Sequence, residues 1–135
     1  MGALQPLLDR LAAIKASFPT KTWAWDGRFD AVSATFPSTV EAQARTSAAH
    51  ALPDAWTPAS LGQAPEQPRA VCEEFGGLRP GQLLLSGAEI DGVTPFGLWW
   101  PWGGGATITL RIGLAGPGVI AEHHAQLRAA FGVSG

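Results

Sequence analysis

Apolar residues recur every three or four positions at the start of the chain: Leu4, Leu7, Leu8, Leu11, Ile14 and Phe18, with Asp9, Arg10 and Lys15 mostly on the other side. That spacing predicts an amphipathic helix of about four turns, stopped before Pro19. The period then shortens. In "KTWAWDGRFDAVSATF" two strand-like runs flank Asp26-Gly27, a dipeptide that predicts a two-residue hairpin turn. Such pairing sets Trp23 and Trp25 on the face of Val32, Ala34 and Phe36, which makes both tryptophans core residues. Ser38 and Glu41 stand at capping-box spacing before an alanine-rich helix over "VEAQARTSAAHAL", which Pro53 ends. The proline-rich stretch from Asp54 to Pro68 reads as a loop with room for one short helical turn. "PRAVCEEF" reads as a short helix stopped at Gly76-Gly77.

Three strands follow. "QLLLSGAEI" turns through Asp91-Gly92 into "FGLWWPW", which turns through glycines into "ATITLRIGL". In the last, Ile108, Leu110, Ile112 and Leu114 alternate with Thr107, Thr109, Arg111 and Gly113, giving one buried and one polar face. "VIAEHHAQLRAAF" closes as a helix by the spacing of Ile120, Leu127 and Phe131. The pattern predicts a single α+β domain over residues 1–135 in the order αββααβββα. Its antiparallel sheet has about five strands, a hairpin plus a three-stranded meander, with helices packed on one face.

The run "PFGLWWPWGGG" raises a question of register. If Gly103 to Gly105 form the loop, Trp102 faces Ala106, Trp100 faces Ile108 and Leu98 faces Leu110. Phe96, Leu98, Trp100 and Trp102 then share the buried face. Trp99 falls on the opposite face, beside Thr109 and diagonal to Arg111. Against the preceding strand two registers stay open. A two-residue turn at Asp91-Gly92 sets Leu84 across from Trp99, whereas a longer turn ending at Pro95 flips the strand, because a one-residue slip exchanges its faces. An exposed tryptophan beside an arginine is a pairing enriched in binding hot spots. Trp99, Arg111, Thr109 and Leu84 are therefore the expected binding residues. The competing reading has Trp99 shield its own sheet, with Arg111 laid over its ring.

Composition narrows the function classes. A net charge of −2, with seven arginines and two lysines scattered along the chain, argues against a nucleic-acid partner. With 46% hydrophobic and 15% charged residues, the chain is globular rather than disordered. A single cysteine, Cys72, cannot form an internal disulfide. Asp9 and Arg10 interrupt the first apolar run too early for a secretory leader, and Pro6 stands where a myristoylation signal places Ser or Thr. No apolar segment approaches the ~20 residues that span a bilayer. These readings lead us to expect a cytoplasmic protein with no membrane partner. The excess of Ala, Gly and Arg over Lys and Asn suggests a GC-rich bacterial genome.

Catalytic chemistry finds little support. "GLAGPG", Gly113 to Gly118, joins a strand to a helix, where glycine turns can cradle phosphate, yet Pro117 removes one donor and no Lys, Ser or Thr follows. His123 and His124 are adjacent and diverge by about 100° on a helix, so they cannot chelate one ion together. His50 and Cys72 belong to other elements. Cys72 sits in an apolar context beside Glu73 and Glu74, which disfavour a thiolate. Asp26 and Asp91 occupy turn positions. They gather with Asp30 and Glu89 only if both turns share one end of the sheet. We expect no catalytic residue, no metal and no cofactor. "GLRPGQLLLSGA" resembles a strand-entry phrase in hydratases of the fumarylacetoacetate hydrolase superfamily, over about a tenth of the chain. That superfamily's acidic metal motif is missing, and no function is carried over.

The expected function is a small non-enzymatic protein-binding module of a bacterial cytoplasm, of the immunity, secretion-chaperone or adaptor type. Its partner is another protein or a second copy. The alternative is a small-molecule-binding domain or enzyme with an aromatic pocket between sheet and helices, walled by Trp23, Trp25 or Trp100.

Overall fold

The computed structural model describes residues 3–134. Along them run α1 (Gln5–Ser17), β1 (Ala24–Asp26), β2 (Ala31–Pro37), α2 (Glu41–Ala48), β3 (Asp54–Trp56), α3 (Glu66–Glu74), β4 (Leu83–Ser86), β5 (Thr94–Trp102), β6 (Thr107–Ala115) and α4 (Ala121–Ala130). The architecture is α+β. Its six antiparallel strands lie in the order β1-β2-β6-β5-β4-β3.

The strand beyond those expected is β3, inside the segment read as a loop. Its three residues pair with β4, and Trp56 donates its indole N–H to Ser86 Oγ at 3.0 Å. Prolines on both sides keep it short, as suits an edge strand.

One face of the sheet meets α1, α2 and α4. Leu7, Leu11 and Ile14 of α1 are buried there against Val32, Phe36, Ile108, Leu110 and Ile112. Phe18 adopts an extended conformation before Pro19 and ends the helix where the pattern requires. α3 lies on the opposite face. Cys72 packs there with Leu84, Phe96 and Leu98, and Gly77, at φ +77°, donates its N–H to the Cys72 carbonyl to close the helix.

The capping box is not made: Ser38 opens a 3-10 turn and no side chain caps α2. Ser47 instead ties α2 to α1, lying 2.6 Å from Ser17 Oγ and 3.0 Å from the Ile14 carbonyl.

The turns decide which residues face the helices. The β1–β2 turn holds four residues, 27–30, rather than two, pairing Trp25 with Val32. Lengthening a turn by two residues keeps the faces, so Trp23 and Trp25 still share a face with Val32. The β5–β6 turn also holds four residues, 103–106, one more than expected, and pairs Trp102 with Thr107, Trp100 with Thr109 and Trp99 with Leu110. One extra residue exchanges the faces. Trp99 is accordingly buried under the helices beside Phe36, with the Arg45 guanidinium over its ring, while Trp100 lies on the other face.

The β4–β5 register, open between two readings, takes the faces of the flipped one, through a bulge rather than a longer turn. Asp91 and Gly92, both at positive φ, form the two-residue turn between Ile90 and Val93. Residues 87–89 then oppose only 94 and 95, a bulge that pairs Leu84 with Leu98 rather than with Trp99.

Candidate functional site

The sheet face bearing α3 is covered only over part of its width. Beyond α3, the outward positions of β2, β6 and the tip of β5 present Ser33, Thr35, Thr107, Thr109, Arg111, Trp100 and Trp102, all half-buried or exposed. Trp102 is one of the two most exposed large apolar side chains described, at 54% of its full area. Its indole is held rather than free. Nε1–H donates to Thr109 Oγ1 at 3.0 Å, and that hydroxyl lies 3.0 Å from Thr35 Oγ1 on the next strand. A rigid aromatic on a strand offers contact area at little ordering cost.

Arg111 organises the middle of this surface. Its guanidinium lies 4.5 Å from the Phe29 ring centre and 5.1 Å from that of Trp100, and Nε donates to Asp26 Oδ2 at 3.0 Å. The Arg111 and Asp26 side chains are 16% and 17% exposed, so the pair is screened less than a surface ion pair. Burial pushes the Asp26 carboxyl up, but hydrogen bonds from Arg111 and Arg28 outweigh it and hold the carboxyl below its ordinary value.

A lowered folded-state pKa stabilises the fold above the unfolded-state value, and the gain is lost as pH falls through the folded-state one. Asp26→Asn is therefore expected to cost about 1.5–3 kcal/mol near neutrality, the worth of a hydrogen bond to a charged group. The gap to the parent chain should close as pH falls below the ordinary carboxyl value of 3.8. Paired urea titrations across that range measure it, and a pH-independent gap would show that the charge is not the cause.

Of the four residues expected to bind, Arg111 and Thr109 lie on this open half. Leu84 shares the face but is buried under the α3 layer, and Trp99 is on the far side of the sheet. Trp100 and Trp102 occupy the place assigned to Trp99. Asp26 and Phe29 join the site without a sequence signal beyond a turn aspartate flanked by an aromatic. The Trp100 indole N–H has no hydrogen-bond partner among the described residues.

The other chemistry-bearing motifs serve the fold. Gly118 donates its N–H to the Gly92 carbonyl at 3.0 Å. A Cβ on Gly116 or Gly118 would collide with the backbone of residues 91 and 92, so "GLAGPG" is a backbone contact between two turns. His123 Nδ1 accepts the Ile120 N–H at the start of α4. Burial, and then the charge of Glu73, push the Cys72 thiol up to about 11, leaving no thiolate near neutrality. Among the described residues no three His, Cys, Asp or Glu side chains gather as a metal site, and no helix is long and apolar enough to cross a membrane. No family model, no curated protein and no solved structure matches this chain.

Proposed function

We propose that the chain is a non-enzymatic protein-binding module of a bacterial cytoplasm, of the immunity, secretion-chaperone or adaptor type. On this reading it contacts its protein partner through the open half of the sheet. The observation that carries the reading is Trp102: a large, half-exposed indole pinned to Thr109 on a rigid strand, with Trp100 two positions away on the same face and Arg111 over the Trp100 ring. Aromatic and arginine side chains of this kind dominate binding energy at protein interfaces. The internal pairing of Arg111 with Asp26 leaves the patch without strong net charge, so recognition rests on shape and apolar contact.

Trp23 and Trp25 line a cavity of about 500 Å³ together with Ala24, Gly132, Val133 and Ser134, but no charged side chain is among its described lining residues. Trp23 packs between Phe18 and Phe131, at ring-centre distances of 4.9 and 4.5 Å, and Trp25 is covered by the Arg128 guanidinium.

The test is Trp102→Ala. Truncating a half-exposed indole that also gives up its hydrogen bond to Thr109 should cost about 1–2 kcal/mol of stability, while partner affinity should fall by about 2 kcal/mol or more, the threshold for a hot spot. Quantitative capture from extract of the source organism, beside a melting curve, reads both. Partner capture unchanged by the substitution would remove the open sheet half from the interface.

A further inference from the structure

A cavity of about 210 Å³ lies at the end of the sheet, between the 27–30 turn, the C-terminal end of α3 and the start of α4. It is separate from Trp102, and a ligand bound in it is independent of the protein-binding reading. We infer that this cavity binds a small zwitterion, an α-amino acid with an apolar side chain.

Its walls are aromatic and held in place. The Phe29 and Phe75 rings meet with centres 4.2 Å apart. Phe96, buried at the floor, lies against Gly113 so closely that a Cβ there would come within 2.6 Å of its ring. Glycine at position 113 is thus what admits the ring. The wall at Gly116 also lacks a side chain, because the Gly92 carbonyl occupies the place of a Cβ.

Opposite charges stand at the rim. Arg28 has a side chain 75% exposed; its guanidinium lies 3.6 Å from Asp26 and 5.1 Å from the Phe29 ring centre, and its remaining N–H donors can take an anion. Asp30 and Glu74 line the same cavity, and among the described residues neither has an ion-pair partner. An ammonium group satisfies these carboxylates and gains from the adjacent aromatic ring. A carboxylate satisfies Arg28. An aliphatic group between them covers the phenylalanine walls.

Size sets the remaining limit. The space equals about seven water volumes and falls below the ~300–1,000 Å³ of sites for drug-sized ligands. A single amino acid matches it, whereas a nucleotide does not.

The experiment is calorimetric titration of the full chain with L-leucine, with isoamylamine, which lacks the carboxylate, and with 4-methylpentanoate, which lacks the amine. Leucine should bind saturably in about the millimolar range, and each half-molecule about tenfold more weakly. Arg28→Ala should bring leucine down to the level of isoamylamine, and Glu74→Gln toward that of 4-methylpentanoate. Both are exposed rim positions, so the fold should tolerate both changes. Absence of saturable leucine binding, half-molecules that bind as tightly as leucine, or leucine binding indifferent to both substitutions would each overturn the assignment.

Discussion

Alanine at position 99 is expected to lower the stability of the fold by about 3–5 kcal/mol, the range for truncating a buried aromatic in a packed core. Trp99 is 1% exposed and is among the largest fully buried side chains described. It meets the Phe36 ring at 5.4 Å between centres, and the Arg45 guanidinium covers its other side. Urea denaturation of Trp99→Ala beside Trp102→Ala reads the difference. The two residues are three positions apart on one strand yet on opposite faces, so the first should shift the midpoint further. A loss below about 1 kcal/mol at Trp99 would place that ring outside the core and require the β5–β6 register to be redrawn.

Gly87→Ala is expected to cost about 2–3 kcal/mol, as overpacking of a filled site does. A Cβ at Gly87 would fall well inside contact distance of the Ala51 carbonyl oxygen and 3.1 Å from Pro95 Cγ. The Ala51 oxygen belongs to the backbone after α2, so relief requires the end of β4 to move away from the helix layer. Gly62→Ala is the internal control. Nothing lies within 4 Å of a Cβ there, and the change should stay within about 0.5 kcal/mol. Equal effects at the two glycines would show that close approach at Gly87 is not what selects glycine.

Both predictions turn on spacings that a sequence pattern reads unequally well. The leucine spacing of α1 and the Ile-Leu alternation of β6 each mark a buried face directly, and the structure places those residues inward. Turn length carries no such signal. Nothing in "WGGGATI" distinguishes a three-residue loop from a four-residue one, and Ala106 joins the loop because its N–H bonds the Gly103 carbonyl at 3.3 Å. That single residue moves Trp99 from the open face to the core and brings Trp100 and Trp102 out.

At the Asp26-Gly27 hairpin the turn is two residues longer than the pattern predicts, and the faces survive because strand side chains alternate with period two. Arg111 and Thr109 can be placed on the outward face of β6 from the alternation of their own strand. Asp26 and Phe29 cannot, since their role comes from a turn folding back over a strand 85 positions later in the chain. β3 is hidden by its flanking prolines, which punctuate a short edge strand just as they punctuate a loop.

Hydroxyl-radical footprinting read at every side chain, on the free chain and in extract of the source organism, tests whether the open half of the sheet is the binding surface. In the free chain Trp102 should oxidise fast and Trp99 hardly at all; in extract Trp102 should become protected, along with neighbours on the open half of the sheet. Oxidation of Trp99 as fast as that of Trp102, or protection falling on α1, α2 and α4 while Trp102 stays reactive, would contradict a binding surface on this face.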